Sequence, residues 1–165
     1  MTEERPSRGA EAAASARPSA FITAPPRRVL FLCVHNSARS QMAEGFARAM
    51  APPGTEIWSA GSEPRGVNPY AIAVMAEVGI DIRGQRSRRL DEVPWREADT
   101  VVTLCGEADA ACPTVTGEVR RVHWPLPDPA AAPDPLPAFR QARDEIRWRV
   151  ASLWPRGGEQ APGTA

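Results

Sequence analysis

The feature that most constrains the fold of this chain is an unbroken apolar run from Val29 to Val34. The run is far too short to span a membrane, and no polar residue alternates with its apolar ones. Such runs are typical of a strand that is buried on both faces, which occurs in parallel sheets covered by helices. The run therefore predicts an α/β domain.

Other segments extend this pattern along the 165 residues. Strands are predicted over residues 56–60, 100–104 and 120–124, and helices over 41–50, 70–78 and 137–154. The order β-α-β-α-β-β-α predicts a single α/β domain, with a four-stranded parallel sheet flanked by helices on both faces. This domain would occupy residues 28–154, between a disordered leader over 1–27 and a flexible tail over 155–165.

Charge and composition exclude several kinds of function. Twenty basic and twenty acidic residues cancel, which gives no electrostatic support for nucleic-acid binding or for an anionic membrane surface. Every basic residue is Arg, so mechanisms that need a Lys are excluded. The chain has neither a membrane-length apolar run nor a secretory signal, which favours the cytoplasm, where structural disulfides are rare. We also expect a monomer.

Cys33 ends the first strand and is followed by five residues, then Arg39 and Ser40, at a strand-to-helix turn. A loop of this size can surround a tetrahedral anion with backbone N–H groups, while Arg supplies a bidentate donor. The same positive field stabilises a thiolate nucleophile, to which Ser40 can donate, and Asn36 tolerates a left-handed backbone. The predicted oxyanion-binding residues are Val34, His35, Asn36, Ser37, Ala38, Arg39 and Ser40.

Cys105 and Cys112 lie seven positions apart, after the third predicted strand. In a regular helix their Cα atoms would be roughly 10 Å apart, whereas a disulfide needs about 7 Å or less. The pair can therefore bridge only if the segment is not helical, which favours a redox switch. The alternatives are a buried Cys105 with an incidental Cys112, or a metal site that adds His123 and either Cys33 or His35.

Asp128 follows the fourth predicted strand and so belongs to the same sheet edge as Cys33. A carboxyl group there can protonate a leaving oxygen. An Asp before Pro is also common in turns, so a purely structural role stays open.

The segment from Cys33 to Phe46 resembles the signature of thioredoxin-coupled arsenate reductases, which share the flavodoxin-like fold of low-molecular-weight protein tyrosine phosphatases. Further matches lie at residues 58–62, 101–106, 112–113, 123–125 and 128–130. The resemblance implies that Cys33 attacks arsenate, with Asp128 assisting, and that Cys105 and then Cys112 carry the resulting disulfide to thioredoxin. Phosphate and sulfate would compete with arsenate as oxyanions, and no cofactor or metal would be bound.

Two departures from the family pattern stand out. His35 replaces the Gly that is commoner in this loop. Some members hold a potassium ion through Asn, Glu, Ser and Asp; Asn36, Glu44 and Ser59 match, but Arg88 stands at the Asp position, so we expect no potassium.

Two other functions stay open. A phosphotyrosine phosphatase would need Cys33, Arg39 and Asp128 but neither later cysteine, and weak phosphatase activity is expected in either case. A non-catalytic protein that binds oxyanions or arsenite would use the three thiols without turnover.

Overall fold

Four short strands form one parallel sheet in the computed structural model, which describes residues 24–106 and 112–155. The strands are β1 (Arg28–Leu32), β2 (Glu56–Ala60), β3 (Thr100–Thr103) and β4 (Arg120–His123), in the order β2-β1-β3-β4. The predicted parallel sheet and the order of its elements are confirmed. Strand β1 ends two residues earlier than predicted, because Cys33 and Val34 already belong to the following loop.

Three α-helices pack against one face of this sheet. They are α1 (Arg39–Met50), α2 (Pro69–Glu77) and α3 (Pro135–Ala151), and they share one apolar cluster with Val29 and Phe31 of β1. The opposite face, with Leu30 and Leu32, is covered instead by the single-turn 3-10 helices Leu90–Glu92 and Trp95–Glu97. Both faces are thus covered, as expected, but within the described residues the α-helices occupy only one. Pro94 separates the two turns, because the residue before a Pro disfavours helical backbone and Val93 is extended there.

The start of α2 follows the sequence closely. Asn68 accepts a hydrogen bond from the backbone N–H of Tyr70 at 2.8 Å, and Pro69 occupies the first helical position. These are the standard requirements of a helix N-terminus. The backbone N–H of Asn68 in turn donates to the carbonyl of Ser37 at 2.9 Å, which fixes the helix start against the loop after β1.

A charged clamp joins α2 to α3. Arg140 and Arg143 both hydrogen-bond Glu77, at 2.7 Å each in their shortest contacts, and Arg143 also donates to the carbonyl of Val74. The two guanidinium groups lower the pKa of Glu77 from 4.5 to about 2. The clamp lies away from the carboxyl edge of the sheet and serves the packing of the helices.

Strand β1 lies at the position where the chain changes direction across the sheet, since β2 is on one side of it and β3 on the other. In open α/β sheets a crevice forms outside the carboxyl ends of the strands at such a point. None of the helices in the described part of the chain is long and apolar enough for a membrane span. The predicted leader lies mostly in residues 1–23, and the tail in 156–165, outside the described residues.

Candidate active site

A cleft of about 480 Å³ opens where the loop after β1 meets the loop after β4. Cys33 lies in it and is 1% exposed. Because the loop leads directly into α1, the positive end of that helix lies beside the sulfur. The cleft is lined by Cys33, His35, Ser37, Ala38, Arg39, Arg65, Gly66, Val67, Asn68, Pro69, Asp128, Ala130 and Ala131.

Asn36 holds the loop in shape. Its backbone is left-handed, with φ of 44°, as predicted from its tolerance of that region. Its Oδ1 accepts the backbone N–H of Arg88 at 2.8 Å, and this N–H can only donate, so the amide orientation is fixed. The Nδ2 group then faces Ser40 and Ser59, and donates to their hydroxyls at 2.8 and 2.9 Å.

The hydroxyl of Ser40 lies 2.9 Å from the sulfur of Cys33. Because its oxygen already accepts from Asn36, its hydrogen is available for the sulfur. Hydrogen bonds to a thiolate stabilise the charged, nucleophilic form. The geometry therefore matches the predicted donation from Ser40 to Cys33.

A second layer of polar groups supports Asn36 from behind. Ser59 at the end of β2 donates to Glu44 at 2.6 Å, and Glu44 is buried in α1. Arg48 pairs with the same carboxylate at 2.8 Å and also donates to the carbonyl of Ile57. The buried acid is thus charge-paired and hydrogen-bonded, as a stable buried carboxylate requires. The role of Arg48 was missed in the sequence, where only its four-residue spacing from Glu44 indicated a pair.

Arg39 is 2% exposed and is oriented by main-chain carbonyls. One of its terminal nitrogens donates to the carbonyl of Leu126 at 2.9 Å and to that of Leu104 at 3.3 Å. The other terminal nitrogen lies 3.9 Å from a carboxylate oxygen of Asp128. These contacts fix the plane of the guanidinium over the cleft, so it is preorganised for a tetrahedral anion.

The position of Asp128 is compatible with both of the roles that were left open. Its Oδ1 accepts the backbone N–H of Ala130 at 3.0 Å and caps the 3-10 helix Pro129–Ala131, which is the structural role. Its Oδ2 faces Arg39, and the side chain lines the cleft with Cys33. A partly exposed carboxyl group in this position can transfer a proton to or from a bound oxyanion.

Gly61 allows β2 to end directly against the loop. A Cβ atom at this position would lie 2.5 Å from the carbonyl oxygen of Val34 and 2.8 Å from the backbone nitrogen of Asn36. Both distances are shorter than any tolerated contact, so only Gly fits. The backbone N–H of Glu63 donates to the same Val34 carbonyl at 2.8 Å.

Cys105 and Cys112 form a disulfide, with their Cα atoms 5.8 Å apart. The described residues that flank the pair are not helical, as the spacing required. Cys105 packs in one buried cluster with Cys33 and Val34, and Cys112 packs against that cluster. Cys33 is a free thiol. The three cysteine sulfurs therefore meet at one edge of the sheet, in two different redox forms.

The structure gives no support to the metal-site alternative. Two of its proposed ligands, Cys105 and Cys112, are joined to each other. The third, His123, has its Nδ1 2.6 Å from the hydroxyl of Thr103, which is the structural role expected for it. No group of three metal-binding side chains occurs in the described ranges 24–106 and 112–155.

Comparison with known proteins shows the family. The family model of low molecular weight phosphotyrosine protein phosphatases matches residues 28–160. This chain belongs to that family. The match begins where the predicted domain does, and it includes the candidate loop, the disulfide pair and Asp128.

Similarity within the family points to one branch. An arsenate reductase from Brevibacillus brevis is 45% identical over 124 residues, which cover 75% of this chain and 91% of the relative. A solved arsenate reductase in its phosphate-binding state is 38% identical with a TM-score of 0.68, covering 77% of this chain and 95% of its own. A thioredoxin-dependent arsenate reductase from Corynebacterium glutamicum is 30% identical, with a TM-score of 0.61 and coverage of 88% and 71%. The resemblance found in the sequence is confirmed.

Two charged residues at or beside the cleft of this family member were missed in the sequence. Arg65 lines the mouth of the cleft, and Glu63 contacts both Arg65 and His35. Both belong to a short loop with no periodic pattern, so nothing in the sequence indicated that β2 would deliver them to this edge. Of the predicted oxyanion-binding residues, His35, Ser37, Ala38 and Arg39 line the cleft with Cys33, whereas Val34, Asn36 and Ser40 are buried and do not line it.

Proposed function

We propose that this chain reduces arsenate to arsenite by a relay of three cysteines, and that a dithiol protein of the thioredoxin type regenerates it. The observation that carries the proposal is the coexistence of a free Cys33 in an anion-shaped loop with a disulfide between Cys105 and Cys112 beside it. Its relatives named as arsenate reductases, one of them thioredoxin-dependent, support the assignment. Phosphate and sulfate, as tetrahedral oxyanions, would compete with arsenate.

In the first step the Cys33 thiolate attacks the arsenic of arsenate, and an arsenate oxygen leaves as water after protonation. Asp128 is our candidate donor of that proton, since it lines the cleft beside Arg39. The loop N–H groups and Arg39 hold the remaining oxygens. Ser40 and the positive end of α1 favour the thiolate before the attack.

In the second step the thiolate of Cys105 attacks the sulfur of Cys33. The electron pair of the S–As bond passes to arsenic, which leaves as arsenite, and a Cys33–Cys105 disulfide remains. Cys112 then attacks Cys105 and releases Cys33 as a thiolate, so that the bond moves to Cys105–Cys112. The structure has the bonding expected at this last stage: Cys33 free and the other two linked.

The last step exchanges this disulfide with a reduced dithiol partner, which leaves oxidised. Cys112 is the more exposed sulfur of the pair, since Cys105 is 2% exposed. A groove of about 330 Å³ beside Cys112 includes Pro113, Val115 and Val122 and offers a mainly apolar surface for such a partner. A reducing compartment such as the cytoplasm would supply the partner, and we place a monomeric enzyme there, with no nucleic-acid or membrane partner.

The direct test is a coupled assay with thioredoxin, thioredoxin reductase and NADPH. NADPH should be oxidised only when arsenate is added, and phosphate should inhibit competitively. Peptide mapping after a single turnover without thioredoxin should find the Cys105–Cys112 disulfide. Stoichiometric oxyanion or arsenite binding without turnover would overturn the proposal in favour of a binding protein.

Hydrolysis of aryl phosphates is a second activity that the site supports. Cys33, Arg39 and Asp128 suffice for nucleophilic attack, anion binding and proton transfer on a phosphate monoester. The cleft of about 480 Å³ is larger than a single tetrahedral anion requires. We expect slow turnover of para-nitrophenyl phosphate, measured by the released phenolate.

A further inference from the structure

Three charged or ionisable side chains meet at the mouth of the cleft. Nε2 of His35 lies 3.6 Å from Oε1 of Glu63, and a terminal nitrogen of Arg65 lies 4.0 Å from the same oxygen. His35 and Arg65 line the cleft together with Cys33 and Arg39, whereas Glu63 is not part of the lining. Glu63 therefore draws the two positively polarised groups of the mouth toward itself. We call His35, Glu63 and Arg65 the mouth cluster.

The backbone holds the mouth cluster in place. The N–H of Glu63 donates to the carbonyl of Val34 at 2.8 Å, and that of Arg65 donates to the carbonyl of His35 at 3.1 Å. Ser87 donates from the other side to the carbonyls of His35 and Asn36. The relative positions of the three side chains thus follow from main-chain contacts, and the His35 side chain is only 23% exposed.

The charged groups around His35 indicate that its contact with Glu63 affects the binding of anions in the cleft. Arg39 and Asp128 also line the cleft, 3.9 Å apart, while Arg86 and Arg88 are the sequence neighbours of Ser87. A doubly charged oxyanion entering the cleft is attracted by cationic groups and repelled by carboxylates, and the mouth of a cleft focuses that field. Glu63 and the oxyanion are therefore alternative partners for the same imidazole and guanidinium.

We propose that His35 is a specificity-determining residue for the entering oxyanion, and that Glu63 restrains it by competing with the anion for His35 and Arg65. His35 donates a hydrogen bond to an outer oxygen of the anion and adds positive charge when it is protonated. The proposal rests on the proposed function only for the identity of the substrate, since it concerns the binding of any tetrahedral oxyanion.

Two substitutions should act in opposite directions. His35→Gln removes the imidazole, which carries positive charge when it is protonated, and leaves Arg65 in place, so it should weaken phosphate binding about threefold. Glu63→Gln releases His35 and Arg65 and removes a negative charge, so it should tighten phosphate binding by about the same factor. A purely structural role for the pair predicts instead that both variants weaken binding, because each breaks the same contact.

The experiment is calorimetric titration of the oxidised full-length chain with phosphate, sulfate and perchlorate at about pH 6. Phosphate is mainly singly charged at this pH, so sulfate and perchlorate provide the comparison of a double with a single charge. The change caused by either substitution should be larger for sulfate and should shrink as ionic strength rises.

Two control variants match the test. Glu56→Gln removes an exposed carboxylate at the opposite end of β2, where it pairs with Arg28, and should leave binding unchanged. His123→Gln removes the other histidine of the chain, which contacts Thr103, and should also leave binding unchanged. If Glu56→Gln and Glu63→Gln change phosphate affinity equally, the change comes from the net charge of the protein and not from the mouth cluster, and the proposal is overturned.

Weaker binding in both mouth variants, or no change in either, would also overturn it. If His35→Gln fails to fold, Glu63→Gln alone decides, since a gain in phosphate affinity that Glu56→Gln does not share is expected from the competition and not from a purely structural contact. These measurements need no arsenate turnover. If the variants bind oxyanions as expected but the protein reduces no arsenate, this inference stands and the proposed function is wrong.

Discussion

The two reactive regions of this molecule are built in contrasting ways. In the oxyanion loop, residues 33–40, Asn36, Arg39 and Ser40 are at most 2% exposed. Asn36 and Arg39 are held by partners from other elements, and Ser40 is held within the loop by Cys33 and Asn36. In the disulfide segment, residues 105–106 and 112–117, exposure rises from a buried Cys105 to an exposed Thr114. Its described anchor is Arg121 of β4, which donates to the carbonyls of Val115 and Gly117.

This difference matches the tasks we propose for the two regions. Binding and attacking an oxyanion needs hydrogen-bond donors that are fixed in one geometry. Such preorganised donors need little reorganisation free energy when the reaction occurs. Passing a disulfide to another protein needs a sulfur that the partner can approach, which a deeply buried loop does not offer. In this proposal arsenate reacts in the oxyanion loop, and the disulfide segment passes the resulting disulfide to the dithiol partner.

The largest expected effect comes from replacing cysteines, which should separate the activity of the oxyanion loop from that of the disulfide segment. Replacing both Cys105 and Cys112 by Ser should abolish arsenate-dependent NADPH oxidation but leave hydrolysis of para-nitrophenyl phosphate within about twofold, because the loop is untouched. Cys33→Ser should abolish both activities, a loss of at least about 1,000-fold. Unchanged arsenate reduction in the double variant would show that the relay is wrong.

A steric change should damage the loop alone. In Gly61→Ala the added methyl group would meet the Val34 carbonyl at 2.5 Å, so the loop must shift, with an expected loss of about 1–3 kcal/mol in the free energy of unfolding. We expect phosphate affinity to fall at least tenfold, while the rate at which dithiothreitol reduces the Cys105–Cys112 disulfide stays the same.

Gly84→Ala is the matched control for this variant, because no atom lies within 4 Å of the position of its Cβ. It should leave phosphate affinity, disulfide reduction and unfolding unchanged. Should Gly61→Ala instead bind phosphate normally, the close approach of β2 would not be what shapes the loop.

A smaller effect should come from the hydroxyl beside the nucleophile. Ser40→Ala removes the group 2.9 Å from the Cys33 sulfur, and the thiolate then loses a hydrogen bond. We expect alkylation of Cys33 by iodoacetamide at about pH 7 to slow roughly tenfold. The oxidised protein has Cys33 as its free thiol, so the reaction reports on it directly.

Ser152→Ala serves as the control for Ser40→Ala, since the hydroxyl of Ser152 contacts only the carbonyl of Arg149 at the end of α3. Its alkylation rate should equal that of the unchanged chain. An equal rate in Ser40→Ala would mean that the helix and the loop N–H groups alone stabilise the thiolate.

The oxyanion loop could be predicted from sequence because its pattern is local. A buried strand, a Cys, a short polar loop and an Arg at the start of a helix specify the anion site within a few residues, including the left-handed Asn36. The spacing of Cys105 and Cys112 likewise predicted that the two could bridge only outside a regular helix; the disulfide is present, and residues 107–111 between them lie outside the described ranges. Glu63 and Arg65 could not be found in this way, because they reach the cleft only through the pairing of β2 with β1 and the close approach at Gly61. Local patterns do not encode such long-range placement.

The smallest expected effect tests whether losses in either region could arise merely from lower stability. Glu77 lies in the clamp between α2 and α3, away from the cleft, and its pKa is lowered from 4.5 to about 2.

A carboxylate whose pKa is lower in the folded state stabilises the fold above its unfolded pKa, and that contribution is lost as pH falls through the folded value. Glu77→Gln should therefore lower the unfolding temperature by at most a few degrees at about pH 7, because Glu77 and Arg140 are both partly exposed and solvent screens their interaction. The difference should narrow from about pH 5 downward and disappear near pH 2, as followed by circular dichroism. Phosphate affinity and disulfide reduction should stay unchanged at pH 7; a fall in either would show that the helix clamp and the reactive edge of the sheet are coupled.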